Sequence, residues 1–78
     1  MTRNEFIDIV EKYNDIELKI GNDNYTILTW TDMGITIARA NETPQRGYSN
    51  AQSLLESFSV EGTPLSKILG TVELIFAA

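Results

Sequence analysis

The chain offers eleven Asp and Glu side chains, six Lys and Arg, and neither histidine nor cysteine. Without cysteine there are no disulfides, thiol nucleophiles, iron–sulfur clusters or cysteine zinc sites. Without histidine the commonest general base and the commonest transition-metal ligand are also gone. Carboxylate acid–base work needs two groups driven to different pKa values in one cleft. Most of the acids fall on exposed helix positions or in turns. Glu73 alone lies within an apolar strand segment, where an acid on an edge strand discourages strand addition. Ser66 and Lys67 are adjacent, so on a helix they point apart and make no nucleophile–base pair. Asn22-Asp23-Asn24 lacks the acid offsets and closing Glu of a calcium loop and reads as a turn. The five glycines are isolated, so there is no phosphate-cradling loop. The expectation is a non-enzyme with no catalytic residues, no cofactor and no metal.

Binding chemistry remains. Trp, Tyr and Arg dominate interface hot spots, and Trp30, Met33, Arg46 and Tyr48 stand at element ends where a partner could reach them. The ordinary alternative for Trp30 is packing on the sheet, under a helix or at its rim. A second candidate surface is acidic. Glu5, Asp8, Glu11 and Asp15 recur at three- and four-residue spacings, which would align them as a carboxylate row along a first helix. Such a row suits an inhibitor of phage or mobile-element type that mimics nucleic acid or blocks a basic cleft.

The net charge is −5 and the pI about 4.4. The imbalance gathers early, in Glu5, Asp8, Glu11, Asp15, Glu17, Asp23 and Asp32 against Arg3, Lys12 and Lys19. This balance argues against phosphate-backbone contacts and against adhesion to an anionic membrane. No apolar run resembles a signal peptide or a membrane span. Length, at 78 residues, allows one domain spanning 1–78. The profile is that of a small cytoplasmic accessory protein of bacterial or phage type.

The elements that must position these residues are set by periodicity. Thr2 and Glu5 form a capping box, and Phe6, Ile9, Val10 and Tyr13 repeat at helical spacing behind it. Period two begins at Ile16, with Leu18 and Ile20. Gly21 to Asn24 turns the chain into a strand from Tyr25 to Thr31. Asp32-Met33-Gly34 turns it again into Ile35 to Ala40. A polar connection, Asn41 to Tyr48, leads to a helix opened by Ser49 and Gln52 and striped by Ala51, Leu54, Leu55 and Phe58. Thr63-Pro64 then starts a short helix ending at Gly70, and Thr71 to Phe76 closes as a strand. The expected fold is α+β: helix, three-stranded antiparallel meander, helix, short helix and C-terminal strand, with one sheet and helices packed on one face. The final strand is expected to reach the sheet through a helical crossover. Tyr25, Ile27 and Thr29 face one side of their strand, and Leu28 and Trp30 the other. Both sides of the sheet therefore carry apolar groups in a chain too small to bury both, which points to a protein partner or a homodimer.

The order helix, three strands, helix resembles that of double-stranded-RNA-binding domains, in topology alone. Those domains meet phosphates with lysines at the start of the second helix. The corresponding stretch here, Ser49-Asn50-Ala51-Gln52-Ser53, has no cation. No direct binding to duplex DNA or RNA is expected at near-physiological salt. A salt-sensitive gel shift at sub-micromolar protein is the result that overturns this.

Overall fold

The computed structural model describes residues 1–78. It is an α+β fold with two helices and a five-stranded antiparallel sheet. Helix α1 is Arg3–Lys12. Strands β1 (Asp15–Ile20), β2 (Asp23–Thr31) and β3 (Gly34–Arg39) come next as a meander. A two-residue strand β4 (Gly47–Tyr48) precedes helix α2 (Ala51–Ser57). A small hairpin, β5 (Ser59–Val60) and β6 (Thr63–Pro64), and two 3-10 turns at Leu65–Lys67 and Leu69–Thr71 lead into β7 (Val72–Ala77). The sheet order is β4-β3-β2-β1-β7.

Helix α1 begins where the capping box forms. The Glu5 N–H donates to Thr2 Oγ1 at 3.1 Å, and the Thr2 N–H donates to Glu5 Oε1 at 2.8 Å. Two free donors are thereby satisfied. Phe6 and Val10 turn inward, and the helix stops at Tyr13, whose backbone is extended. Asp15 is therefore the first residue of β1 and not part of α1.

Directly paired residues project to the same face, so the register sorts the sheet. One inner row runs Ala77–Ile16–Ile27–Ile37 across four strands. A second runs Leu74–Leu18–Tyr25–Arg39. Helix α2 and the first 3-10 turn close over this face with Leu54, Leu55 and Leu65, all fully buried. Full burial of each such leucine is worth about 1.5–3 kcal/mol. The outer rows read Phe76–Glu17–Thr26–Ala38, Asp15–Leu28–Thr36–Gly47 and Glu73–Lys19–Asn24. No helix covers them, and none is long and apolar enough to cross a membrane.

Four local expectations change. The second helix is capped by Asn50, whose Oδ1 accepts from the Ser53 N–H at 2.8 Å, and not by a Ser49–Gln52 box. The polar connection is expected to run to Tyr48, but the chain rejoins the sheet at Gly47 and Tyr48, which pair with Thr36 and Ile35. The same pairing makes the end of the polar connection a strand. The short helix from Thr63 is absent: Thr63 and Pro64 pair with Val60 and Ser59 around Glu61 and Gly62, both in the left-handed region. The residues after Pro64 bond at three-residue spacing, Ile68 N–H to Leu65 O and Thr71 N–H to Ile68 O, so Gly70 lies within a 3-10 turn and stops no α-helix. Finally, the chain passes through α2 and the 3-10 turns from β4 at one sheet edge to β7 at the other, as the expected helical crossover does, and β7 lands antiparallel beside β1. Its alternation breaks at a bulge: Leu74 opposes Leu18 and Phe76 opposes Glu17, leaving Ile75 extra.

The hydrogen bond from the Thr2 backbone holds the Glu5 carboxyl below its ordinary value. A carboxyl lowered in the fold stabilises above its unfolded pKa, and the effect is lost as pH falls through the folded pKa. Glu5→Gln should thus melt below wild type at neutral pH. The gap should close as the solution is acidified through and below the usual glutamate range. A gap constant with pH counts against this account of the cap.

Candidate functional site

Two surfaces gather the candidate contact residues. The first is the open end of the β2–β3 hairpin. Between Leu28 and Thr31 the pairing of β2 with β3 slips by one residue. Bulges of this kind re-aim a side chain, and Trp30, inside it, stands 86% exposed. The packed position for Trp30 is therefore not adopted. Leu28 and Met33 on the same hairpin are 40% and 48% exposed.

The turn that carries Met33 is pinned. The Thr31 hydroxyl donates to the Gly34 carbonyl at 2.7 Å and accepts from the Met33 N–H at 3.1 Å. Behind the turn lies Gly47, where an added Cβ would collide with the Met33 carbonyl. Gly34 has φ +94°, a conformation costly for any residue with a side chain. Beside Leu28 the loop Ala40–Pro44 folds over the outer face, enclosing a crevice of about 140 Å³ with Thr26, Thr36 and Ala38. That loop turns away from β3 through Asn41, at φ 70°, a region asparagine tolerates.

The second surface is a groove of about 380 Å³ on the inner side of β3. Tyr25, Ile37, Tyr48, Phe58 and Val60 form its apolar part. Tyr25 and Phe58 meet edge to face at 6.1 Å. Arg39 lies 5.7 Å over the Tyr25 ring and donates to its hydroxyl at 3.3 Å. It also pairs with Asp23 at 3.5 Å and Glu42 at 3.9 Å. The Tyr25 hydroxyl, with these carboxylates, raises the guanidinium above its ordinary pKa. Arg46 lies 4.7 Å over the Tyr48 ring.

The four contact candidates thus divide in two. Trp30 and Met33 share the hairpin end, and Arg46 and Tyr48 share the groove. The carboxylate row does not form as a single helical line. Glu5 serves the cap, Asp8 and Glu11 are exposed on α1, and Asp15 belongs to β1. No cluster of three carboxylates converges on a cation position. Tyr25, Arg39 and Phe58 were not singled out from sequence. The Tyr25–Arg39 pairing depends on strand register, and no local pattern signals it. Comparison with protein-family models, curated proteins and solved structures finds no match for this chain.

The close approach of Gly47 to the Met33 turn gives a direct test. Gly47→Ala should destabilise by about 1–3 kcal/mol or more, the range for forcing extra atoms into a packed site. Gly70→Ala, where a Cβ meets nothing within 4 Å, should be nearly silent. Urea unfolding of the two variants measures the difference. Equal midpoints would remove the argument that Gly47 sets the position of Met33.

Proposed function

We propose that this protein is a non-enzymatic binding module that acts by protein–protein contact through the hairpin end of its uncovered sheet face. The observation that carries this reading is Trp30, 86% exposed within a β-bulge. A large aromatic held outside the core contributes little to folding, whereas tryptophan is prominent among interface hot spots. Leu28 and Met33 extend the apolar surface, and the crevice beside Leu28 gives a partner side chain a place to enter.

Charge favours a partner of a particular kind. Asp15 adjoins Leu28 in its outer row, Glu17 lies in the next row, and Asp32 begins the Met33 turn. A surface with an apolar centre and a basic rim complements this, whereas a second copy would set acid against acid. The homodimer expectation has a different surface at its disposal. Strand β7 is a free edge, and Leu74, Ile75 and Phe76 on it are all about half exposed. Free apolar edges are templates for strand addition.

Trp30→Ala should leave the melting temperature almost unchanged, as exposed substitutions do. It should weaken a partner captured from the native host by about 2 kcal/mol or more. Asp8→Asn with Glu11→Gln should be the quieter pair. A partner that tolerates Trp30→Ala but is lost on neutralising Asp8 and Glu11 would return the acidic-mimic reading. Light scattering at high micromolar concentration decides the edge: a dimer assigns β7 to self-association, and a clean monomer removes that role.

A further inference from the structure

The groove on the inner side of β3 has features that the hairpin surface does not explain. Its volume, about 380 Å³, falls within the span of small-ligand sites. Three separate segments build it: the sheet through Tyr25 and Ile37, the loop through Glu42 to Arg46, and the β5 hairpin through Phe58 to Glu61.

Its two arginines are in different states. Arg39 is occupied by the Tyr25 hydroxyl, Asp23 and Glu42. Arg46 pairs with no carboxylate; its guanidinium is only laid over the Tyr48 ring. Stacking on an aromatic face leaves the in-plane N–H donors of a guanidinium free, in the fork that matches a carboxylate. Tyr48 is 6% exposed, and its hydroxyl makes no hydrogen bond within the chain. No buried side-chain polar atom is orphaned, so that hydroxyl reaches solvent. The groove is therefore lined by one unpaired planar cation, Arg46, and by Tyr48, whose hydroxyl is unpaired, beside an apolar floor that includes Phe58 and Val60.

The geometry points to a binding site for a monocarboxylate with an apolar or aromatic body. The carboxylate pairs with Arg46 within reach of Tyr48, and the body lies on Tyr25, Phe58 and Val60. The charge balance sets the anion's size. Arg39 is already paired with Asp23 and Glu42, and Glu61 lies in the same lining, so the one free cation, Arg46, matches a single carboxylate and leaves the second charge of a phosphate dianion unpaired.

The test is an amide-resolved NMR titration with 3-phenylpropionate. Saturable shifts are expected at Tyr25, Arg46, Tyr48 and Ser59, with much weaker responses to 3-phenylpropionamide, which lacks the charge, and to inorganic phosphate, which lacks the body. Arg46→Gln, at an exposed position, should keep the fold and weaken binding about tenfold or more. Trp30→Ala should leave the titration unchanged, which separates this site from the hairpin surface. A peptide ending in phenylalanine, free or amidated at its C-terminus, identifies the source of the carboxylate. Tighter binding of the free-acid peptide than of 3-phenylpropionate assigns it to a protein terminus, and equal or weaker binding to a free small acid. No saturable shift at about 10 mM, equal binding of acid and amide, or indifference to Arg46→Gln in a folded variant would overturn the proposal.

Discussion

Two short helices can cover one face of a five-stranded sheet and no more, and most of this structure derives from that limit. Arg3–Lys12 and Ala51–Ser57 lie on the side where Ile16, Leu18, Ile20, Tyr25, Ile27 and Ile37 project. Hydrophobic burial is thus concentrated on one layer, as a domain of this size requires. A slip of one residue in any strand would exchange the buried row for the exposed one, so the period-two pattern fixes the register strongly. The outer face receives what is left: acids and a lysine on β1, threonines on β2 and β3, and a few apolar groups with no helix to meet them.

The departures from regular pairing lie where that leftover surface is most apolar. One bulge falls between Leu28 and Thr31 and the other between Leu74 and Phe76. Both twist a strand locally and take an apolar side chain out of the ladder's alternation. At the β7 edge the bulge and the exposed Glu73 break the flatness of a strand whose outer side is still unpaired. At the hairpin the same irregularity lifts Trp30 away from the sheet. One kind of distortion therefore breaks the flatness of an edge in one place and exposes a large aromatic side chain in another.

Long, strongly periodic segments were legible in the sequence. The first helix with its Thr2–Glu5 box, the meander, and the inward set of each central strand all rest on local spacing. What was not legible depends on tertiary pairing. Tyr48 becomes a strand residue because Ile35 is beside it, and this moves the helix cap from Ser49 to Asn50. Thr63-Pro64 carries a genuine helix-start signal, but the left-handed Glu61-Gly62 pair closes a hairpin first. The candidate contact residues were readable by type, because Trp and Arg at element ends are unusual for a core. Their division into two surfaces was not, since it depends on which face the loop Ala40–Arg46 crosses.

That loop is where the two surfaces meet. Its residues Ala40 to Pro44 wall the outer crevice beside Leu28, and Glu42 to Arg46 contribute to the inner groove. Ala38, Arg39 and Glu42 border both. The loop precedes the two-residue β4 and borders the sheet margin on both sides. The ion pairs of Arg39 with Asp23 and Glu42 tie the loop to the first turn of the meander, and the Ala40 N–H donates to the Asn24 carbonyl at 2.8 Å. A shift of the Arg39–Glu42 corner on one side is thus a shift of the wall on the other. Contiguity of this kind is a precondition for coupling between sites, and coupling itself requires an element with two discrete arrangements. Arg39 is the residue to watch for one. Its three partners, Tyr25, Asp23 and Glu42, lie on β2 and the loop, and its hydrogen bonding and ion pairs join the sheet, the hairpin turn and the wall common to both surfaces.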